Sequence, residues 1–418
     1  MSTACRRFAL NTVSAAIVAL ACLSISCDRA PAQEPHPPAT EPLPDITILT
    51  TSFTNGPAST LSATIYLPAA DAEAVAGIVI LGGSERGPQT DMKRRLAAHF
   101  AQNNIAALIY DSPGTGTSTG NTLMQTREDR AIEALAAVIC LRKQKQVPAD
   151  RVGLMGISEG ALVTILAAGA DLNTDVPRPA FIIPVSASTG VPMLECARYR
   201  IETKGLARGL DTNAIQKALL LEELLFALLA GNDAFDWPLI IQKANQWPNE
   251  NWVQMAELVQ QIWSRSDLDL TAQAWDDIKQ ELSIWRTESW FDLVVVDVDR
   301  FDRLMTIPTG QMIVLLFQGP LSGYRTTLKV AQESDAIARI TCPILAVWGE
   351  NDEFLPPRRS ESFFRARLAE TGHAEATYYI IPNASHTLTT KDGGDEFVNN
   401  YPDLLSDWIL QYSHQKAP

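Results

Sequence analysis

The chain has 418 residues, of which 46% are hydrophobic and 20% charged, enough for a large core in one α/β domain carrying an insertion or in two domains. Its formal net charge of -14 excludes nucleic acid and an anionic membrane surface as partners, because phosphates would repel it. Past residue 27 only Cys140, Cys196 and Cys342 remain, too sparse for a disulfide framework, and no C-x-x-C or clustered His/Cys spacing suggests zinc.

At the N-terminus, Arg6 and Arg7 precede an apolar run without a charge from Phe8 through Ile25. A basic start, an apolar stretch and the small-residue end RAPAQ read as an export signal, residues 1–32, with cleavage after Ala32. The alternative is a lipoprotein signal with lipidation at Cys27, although Ser24 stands where such signals usually carry leucine. That lipid would be the chain's one attachment to a membrane, and either route predicts a periplasmic or secreted protein. The proline-rich residues 33–44 have no periodic apolar face and read as an extended tether.

The segments Asp45 to Thr51 and Leu61 to Leu67 alternate as strands of an antiparallel edge. Strands and helices then alternate: AGIVILGG, a helix over Met92 to Gln102, IAALIYD, a helix over Arg127 to Lys143, RVGLMG and AFIIPVSA. Apolar runs separated by helices predict a mostly parallel, doubly wound sheet covered on both faces. The pattern resumes at CPILAVWG, followed by a helix through Arg367, the strand ATYYIIP and a last helix around Phe397 to Leu410. The core is therefore expected over 45–192 and 338–418, with a helical cap over 193–337 inserted before the strand CPILAVWG. Within it, Asn213 to Ala230 is nearly solid with leucine, and Met255, Leu258, Val259, Ile262 and Trp263 share one helix face. Seven of the nine tryptophans fall between Trp237 and Trp290, which makes them either packing between helices or the walls of a pocket.

The strand RVGLMG runs into GISEG and then directly into helix formers. Strand, G-x-S-x-G and helix in that order form a tight turn that exposes a nucleophile, here Ser158. In a doubly wound sheet the chemistry collects at the carboxyl ends of strands. There CPILAVWG ends in GENDEFLPP, which supplies Asp352, with Glu350 and Glu353 as competing carboxylates, and ATYYIIP ends in NASHTL, which supplies His386. Ser158, Asp352 and His386, in that order and each at a strand end, make a nucleophile, an acid that orients an imidazole, and a general base. Ser118 also lies in a G-x-S-x-G spacing, but it stands in the Thr- and Gly-rich run DSPGTGTSTG with nothing helical directly after it, and reads as a loop residue. The same run fails G-x-G-x-x-G because position 119 is Thr119, which argues against a dinucleotide site. Small residues at GGSERGPQ allow the amides of Ser84 and Glu159 to point at a tetrahedral oxyanion.

With VILGGSERGPQ, YDSPGTGTSTG, GISEG, GENDEFLPP and NASHTL in hand, the chain resembles the α/β-hydrolase superfamily, and within it exported bacterial serine esterases related to dienelactone hydrolases. The resemblance covers nearly all of the chain after the tether and implies an α/β-hydrolase fold, no cofactor and no metal, and hydrolysis of a small-molecule carboxylic ester. Three positions depart from it: Gly82-Gly83 where relatives usually have His-Gly, Ile157 where they have His, and no basic residue near Pro113. The GGSE run also looks like that of acyl-CoA thioesterases and acyltransferases. The expected activity is a serine carboxylesterase acting on small or medium acyl esters. An exported peptidase or thioesterase with the same residues is one alternative, and a non-catalytic binding protein on the same fold is another.

Overall fold

Five short runs without a charged side chain, AGIVIL, IAALIY, VGLMGI, IIPV and ILAVWG, are buried throughout and form the centre of a sheet. The computed structural model describes residues 46–415 apart from 310–332 and short stretches at 56–58, 71, 85, 123–124, 173–175, 231–234, 265–267, 296–300, 303–304, 307, 374, 391–395 and 399. The expected export signal over 1–32, Cys27 and the expected tether over 33–44 lie outside the described residues.

A hairpin of β1 (Ile46–Asn55) and β2 (Ser59–Pro68) opens the fold, with Ile46 opposite Pro68 and Asn55 opposite Ser59. Then come β3 (Ala76–Leu81), α1 (Asp91–Gln102), β4 (Ile105–Tyr110), α2 (Arg127–Arg142), β5 (Val152–Ile157), α3 (Glu159–Gly169) and β6 (Ile182–Val185). After a helical stretch the sheet continues with α10 (Glu333–Ile337), β7 (Ile344–Gly349), α11 (Pro357–Ala369), β8 (Ala376–Ile381) and α12 (Tyr401–Gln415). The eight strands lie in the order β1-β2-β4-β3-β5-β6-β7-β8, antiparallel in the pairs β1-β2 and β2-β4 and parallel from β4 onward. This is the mostly parallel, doubly wound sheet expected of an α/β-hydrolase fold.

Helix ends follow the side chains available. Thr126 accepts from the Asp129 amide while the Asp129 carboxylate accepts from the Thr126 amide, a capping box that starts α2. Thr90 caps α1 in the same way from one side. On α12, Tyr401, Leu405, Ile409 and Tyr412 recur on one face and pack with Phe181, Leu345 and Val347 of the sheet layer. Three boundaries differ from the sequence reading. The hairpin is longer, running to Asn55 and from Ser59. AFIIPVSA is a strand only over Ile182–Val185, because the backbone turns at Ser186 with φ 51. The last helix starts at Tyr401, since Phe397 is bridged to Thr389 and Pro402 fits only the first turn, where its missing N–H costs nothing.

Among the described residues the chain divides into two compact units, one over 46–190 with 333–415 and the other over 191–309. The second unit is helical: α4 (Met193–Ala207), α5 (Thr212–Ala230), α6 (Trp237–Ala244), α7 (Trp252–Ser264), α8 (Leu268–Trp285) and α9 (Phe291–Val294). Leu221, Leu224, Met255, Val259 and Ile262 join Trp252, Trp275, Trp285 and Trp290 in one core. The Trp252 and Trp285 rings stack with centroids 4.0 Å apart, so these tryptophans hold the helices of this unit together. The Trp263 side chain lies outside the described residues. No described helix is long and apolar enough to cross a membrane, and no disulfide joins Cys140, Cys196 or Cys342.

Candidate active site

Strand β5 ends at Ile157 and α3 begins at Glu159, so one residue, Ser158, makes the whole turn. Its backbone sits at φ 57, ψ -119, a region an L side chain avoids and one that costs about 1–3 kcal/mol to hold. Two glycines make the turn fit. A Cβ on Gly156 would lie 2.1 Å from the Gly160 carbonyl oxygen, and one on Gly160 would lie 2.4 Å from that of Gly82. The Ser158 amide donates to Val185 O at 2.9 Å, which ties the turn to β6, and its hydroxyl makes no capping bond to α3.

The acid and the base meet two strands away. Gly349, the last residue of β7, passes so close to the loop after β8 that a Cβ there would lie 2.1 Å from Ser385 O. That approach brings His386 Nδ1 to donate to Asp352 Oδ2 at 2.7 Å, with both residues buried. The other Asp352 oxygen, Oδ1, accepts from the amides of Phe354 (2.8 Å) and Leu355 (3.1 Å), which leaves Oδ2 aimed at the imidazole. Ser186 Oγ donates to His386 O at 2.7 Å. Since Val185 O holds the Ser158 amide, neighbouring residues at the end of β6 anchor both the serine turn and the histidine loop. The structure thus brings Asp352 and His386 together and holds Ser158 at the same edge. Among the described residues no hydrogen bond joins the Ser158 hydroxyl to the imidazole, a contact that often tightens only when substrate binds.

The rival residues are engaged elsewhere. Ser118 Oγ donates to Asp111 O and accepts from the Ser62 amide, both at 2.9 Å, as a strut between β2 and the loop after β4. Glu350 faces solvent beside Arg358. His99 pairs with Asp403 and His373 with the Cys342 carbonyl. His36 and the His414 side chain lie outside the described residues.

Glu159 and Ser84 stand on two touching segments, the start of α3 and the turn after β3, where Gly160 meets Gly82 O. As the first residue of α3, Glu159 has an amide with no intrahelical acceptor. Its carboxylate is the feature sequence reading missed. Arg86 reaches it with Nη2 to Oε1 at 2.9 Å and Nε to Oε2 at 3.4 Å, Arg130 with Nη1 to Oε2 at 2.7 Å, and Arg127 at 3.7 Å. Burial alone would push this carboxyl up, but the guanidiniums of Arg86, Arg130 and Arg127 overcome it and hold the pKa down to about 2. The pair Arg127 and Arg130, three apart on a helix, was the available signal, since both side chains must share a face.

Comparison with known proteins follows the same lines. The sequence profile described as Alpha/beta hydrolase family matches residues 78–400. No curated protein sequence matches this chain. Among solved structures, the Pyrococcus furiosus esterase PF2001 is similar at 12% identity and a TM-score of 0.48, covering 88% of this chain and 91% of its own. The hypothetical protein PA2218 from Pseudomonas aeruginosa is similar at 18% identity and a TM-score of 0.48, covering 92% and 99%. Est1E from Butyrivibrio proteoclasticus, with ferulic acid bound, gives 16% identity and a TM-score of 0.43, covering 88% and 98%.

Proposed function

Since this chain belongs to the α/β hydrolase family, we propose that it is a serine carboxylesterase, exported by its N-terminal signal, that cleaves small or medium acyl esters through an acyl-enzyme. The observation that carries the reading is the buried Asp352–His386 hydrogen bond at the sheet edge where Ser158 occupies its strained turn. An imidazole whose Nδ1–H is committed to a carboxylate presents Nε2 as an acceptor, which is what a general base toward a hydroxyl requires.

In the first half-reaction His386 Nε2 takes the Ser158 proton as Oγ bonds to the acyl carbon, and the carbonyl oxygen becomes an oxyanion facing the amides of Ser84 and Glu159. Asp352 holds the imidazolium in place. Collapse breaks the bond to the alcohol oxygen, which leaves with the proton from His386. Water then repeats the sequence on the acyl-enzyme, giving the carboxylic acid and restoring Ser158. Arg6, Arg7 and the charge-free run from Phe8 to Ile25 support the export part of the reading.

A fluorophosphonate probe followed by peptide mapping tests it, together with hydrolysis of matched esters, thioesters and aminoacyl amides. Labelling at Ser158, lost in Ser158→Ala together with ester hydrolysis, is the expected result. Labelling that survives Ser158→Ala overturns the nucleophile assignment, and turnover of amides or thioesters with inert esters overturns the substrate class.

A further inference from the structure

We propose that the Glu159 side chain is a positioning group for the oxyanion hole: clamped by Arg86 and Arg130, it sets the separation and aim of the Ser84 and Glu159 amides. The inference rests on the serine-hydrolase reading above. It adds a role for a carboxylate and two guanidiniums that need not touch the substrate.

The clamp brackets both donors. On one side it grips Glu159, whose amide follows the nucleophile. On the other it grips the turn after β3 on either side of Ser84. Arg130 Nη2 donates to Gly82 O at 3.1 Å, two residues before Ser84, while Nη1 holds Glu159 at 2.7 Å. Arg86, two residues after Ser84, closes a pair of bonds on the same carboxylate and extends Nη1 to the carbonyls of Thr122 and Gln125, each at 3.0 Å. Arg86 has φ 39, a conformation a non-glycine residue keeps only when its surroundings impose it. The Gly160–Gly82 approach leaves no slack between the two segments, so their relative position is set by backbone contact on one side and by the charged clamp on the other. An oxyanion donor displaced by about 1 Å can cost roughly 100-fold in rate, because the benefit comes from dipoles already aimed when charge appears.

Glu159→Gln keeps the shape and one acceptor but removes the charge. Rates are measured on p-nitrophenyl butyrate and divided by active sites counted with a fluorophosphonate, and binding is measured for an alkyl trifluoromethyl ketone, whose serine adduct carries an oxyanion. A positioning role predicts kcat lower by about 10- to 100-fold with KM within about 3-fold, and ketone affinity reduced by the same factor as kcat/KM. The acid limb of the pH profile should stay where it is, since the Asp352–His386 pair is untouched. Arg130→Lys keeps the charge but gives up the rigid fork whose two nitrogens hold Glu159 and Gly82 O in fixed geometry, so it should share the defect, and it carries the same test should Glu159→Gln fail to fold. Wild-type kcat and ketone affinity in Glu159→Gln, or full activity in Arg130→Lys, overturns the inference. A wild-type chain that neither reacts with the fluorophosphonate nor binds the ketone overturns the serine-hydrolase reading, and the inference with it.

Discussion

In the sheet unit, the half-buried Glu159 is ringed by Arg86, Arg130 and Arg127, and its carboxyl is held down to about 2. In the helical unit, Glu222 meets Arg200 at 3.1 Å, with Oε2 unbonded among the described residues, and burial pushes its carboxyl up to about 7. Desolvation raises both. What differs is the number of positive groups set against it, and a single guanidinium that satisfies one oxygen does not restore what water supplied. A third carboxylate, the buried Asp352, is bound by one imidazole and two amides with no arginine among these contacts. The three arrangements differ in what holds the acid: several guanidiniums in a clamp, one guanidinium in a helical core, and an imidazole with two backbone amides.

The largest effect that would sharpen the comparison is on Asp352. If its work is to fix the imidazole, Asp352→Asn should lower kcat by roughly 10⁴-fold with KM little changed, because an amide leaves the wrong nitrogen protonated. A loss of tenfold or less would put Asp352 with the structural carboxylates.

Next comes the pair in the helical unit. Arg200→Met strands Glu222 among apolar groups and should cost about 3–5 kcal/mol, whereas Arg200→Met with Glu222→Leu should be neutral or stabilising by about 1–4 kcal/mol. Urea unfolding followed by tryptophan fluorescence reads this unit selectively, since seven of the nine tryptophans lie between Trp237 and Trp290. A double variant as unstable as the single one would mean that Arg200 and Glu222 each do separate structural work.

The two titrations should run in opposite directions. A lowered carboxyl pKa means that the unfolded chain binds the extra proton first. Stabilisation from Glu159 is therefore complete above about pH 4.5 and is lost as pH falls through about 2, some 3 kcal/mol in all. With Glu222 the folded unit holds the proton more tightly. Its contribution is complete below about pH 4.5 and is lost as pH rises through about 7, again by about 3 kcal/mol. Stability of the helical unit measured from pH 5 to 8 should fall, and Glu222→Gln should flatten the slope. A slope unchanged by that substitution would remove the contrast between the two carboxylates.

What the sequence makes legible depends on how local the determinant is. The buried strands are continuous apolar runs, and the GISEG turn writes its requirement in five consecutive residues, so β5, Ser158 and α3 could be read directly. Asp352 and His386 could be read because each follows a strand whose carboxyl end the topology fixes. The Glu159 clamp was legible only in part: Arg127 and Arg130 share a helix face, but the clamp joins residues 29 and 73 positions apart, and nothing in the SEG triplet says that its acid turns inward. The tryptophans were ambiguous for a related reason: an aromatic stripe looks the same whether it faces a ligand or another helix, and here Trp252, Trp275 and Trp290 are buried in the core of their own unit.

The smallest effect concerns the serine that shares the G-x-S-x-G spacing. Ser118 is buried, and its hydroxyl is engaged twice, by the Ser62 amide and by the Asp111 carbonyl. Ser118→Ala leaves a strand donor and a loop acceptor unpaired in the interior, which should cost about 1–3 kcal/mol of stability. Around this strut Asp111 also accepts from the amides of Gln89 and Thr117, and a Cβ on Gly116 would meet its carboxylate at 2.1 Å, so the loop is held by several bonds and should keep its shape. Fluorophosphonate labelling and ester turnover per folded molecule should then match the wild type. Thermal unfolding of Ser118→Ala beside a labelling time course separates the two effects. Slowed labelling at unchanged stability would mean that a hydroxyl enclosed between two backbone groups nevertheless takes part in the chemistry, and that burial does not sort structural from reactive polar groups in this chain.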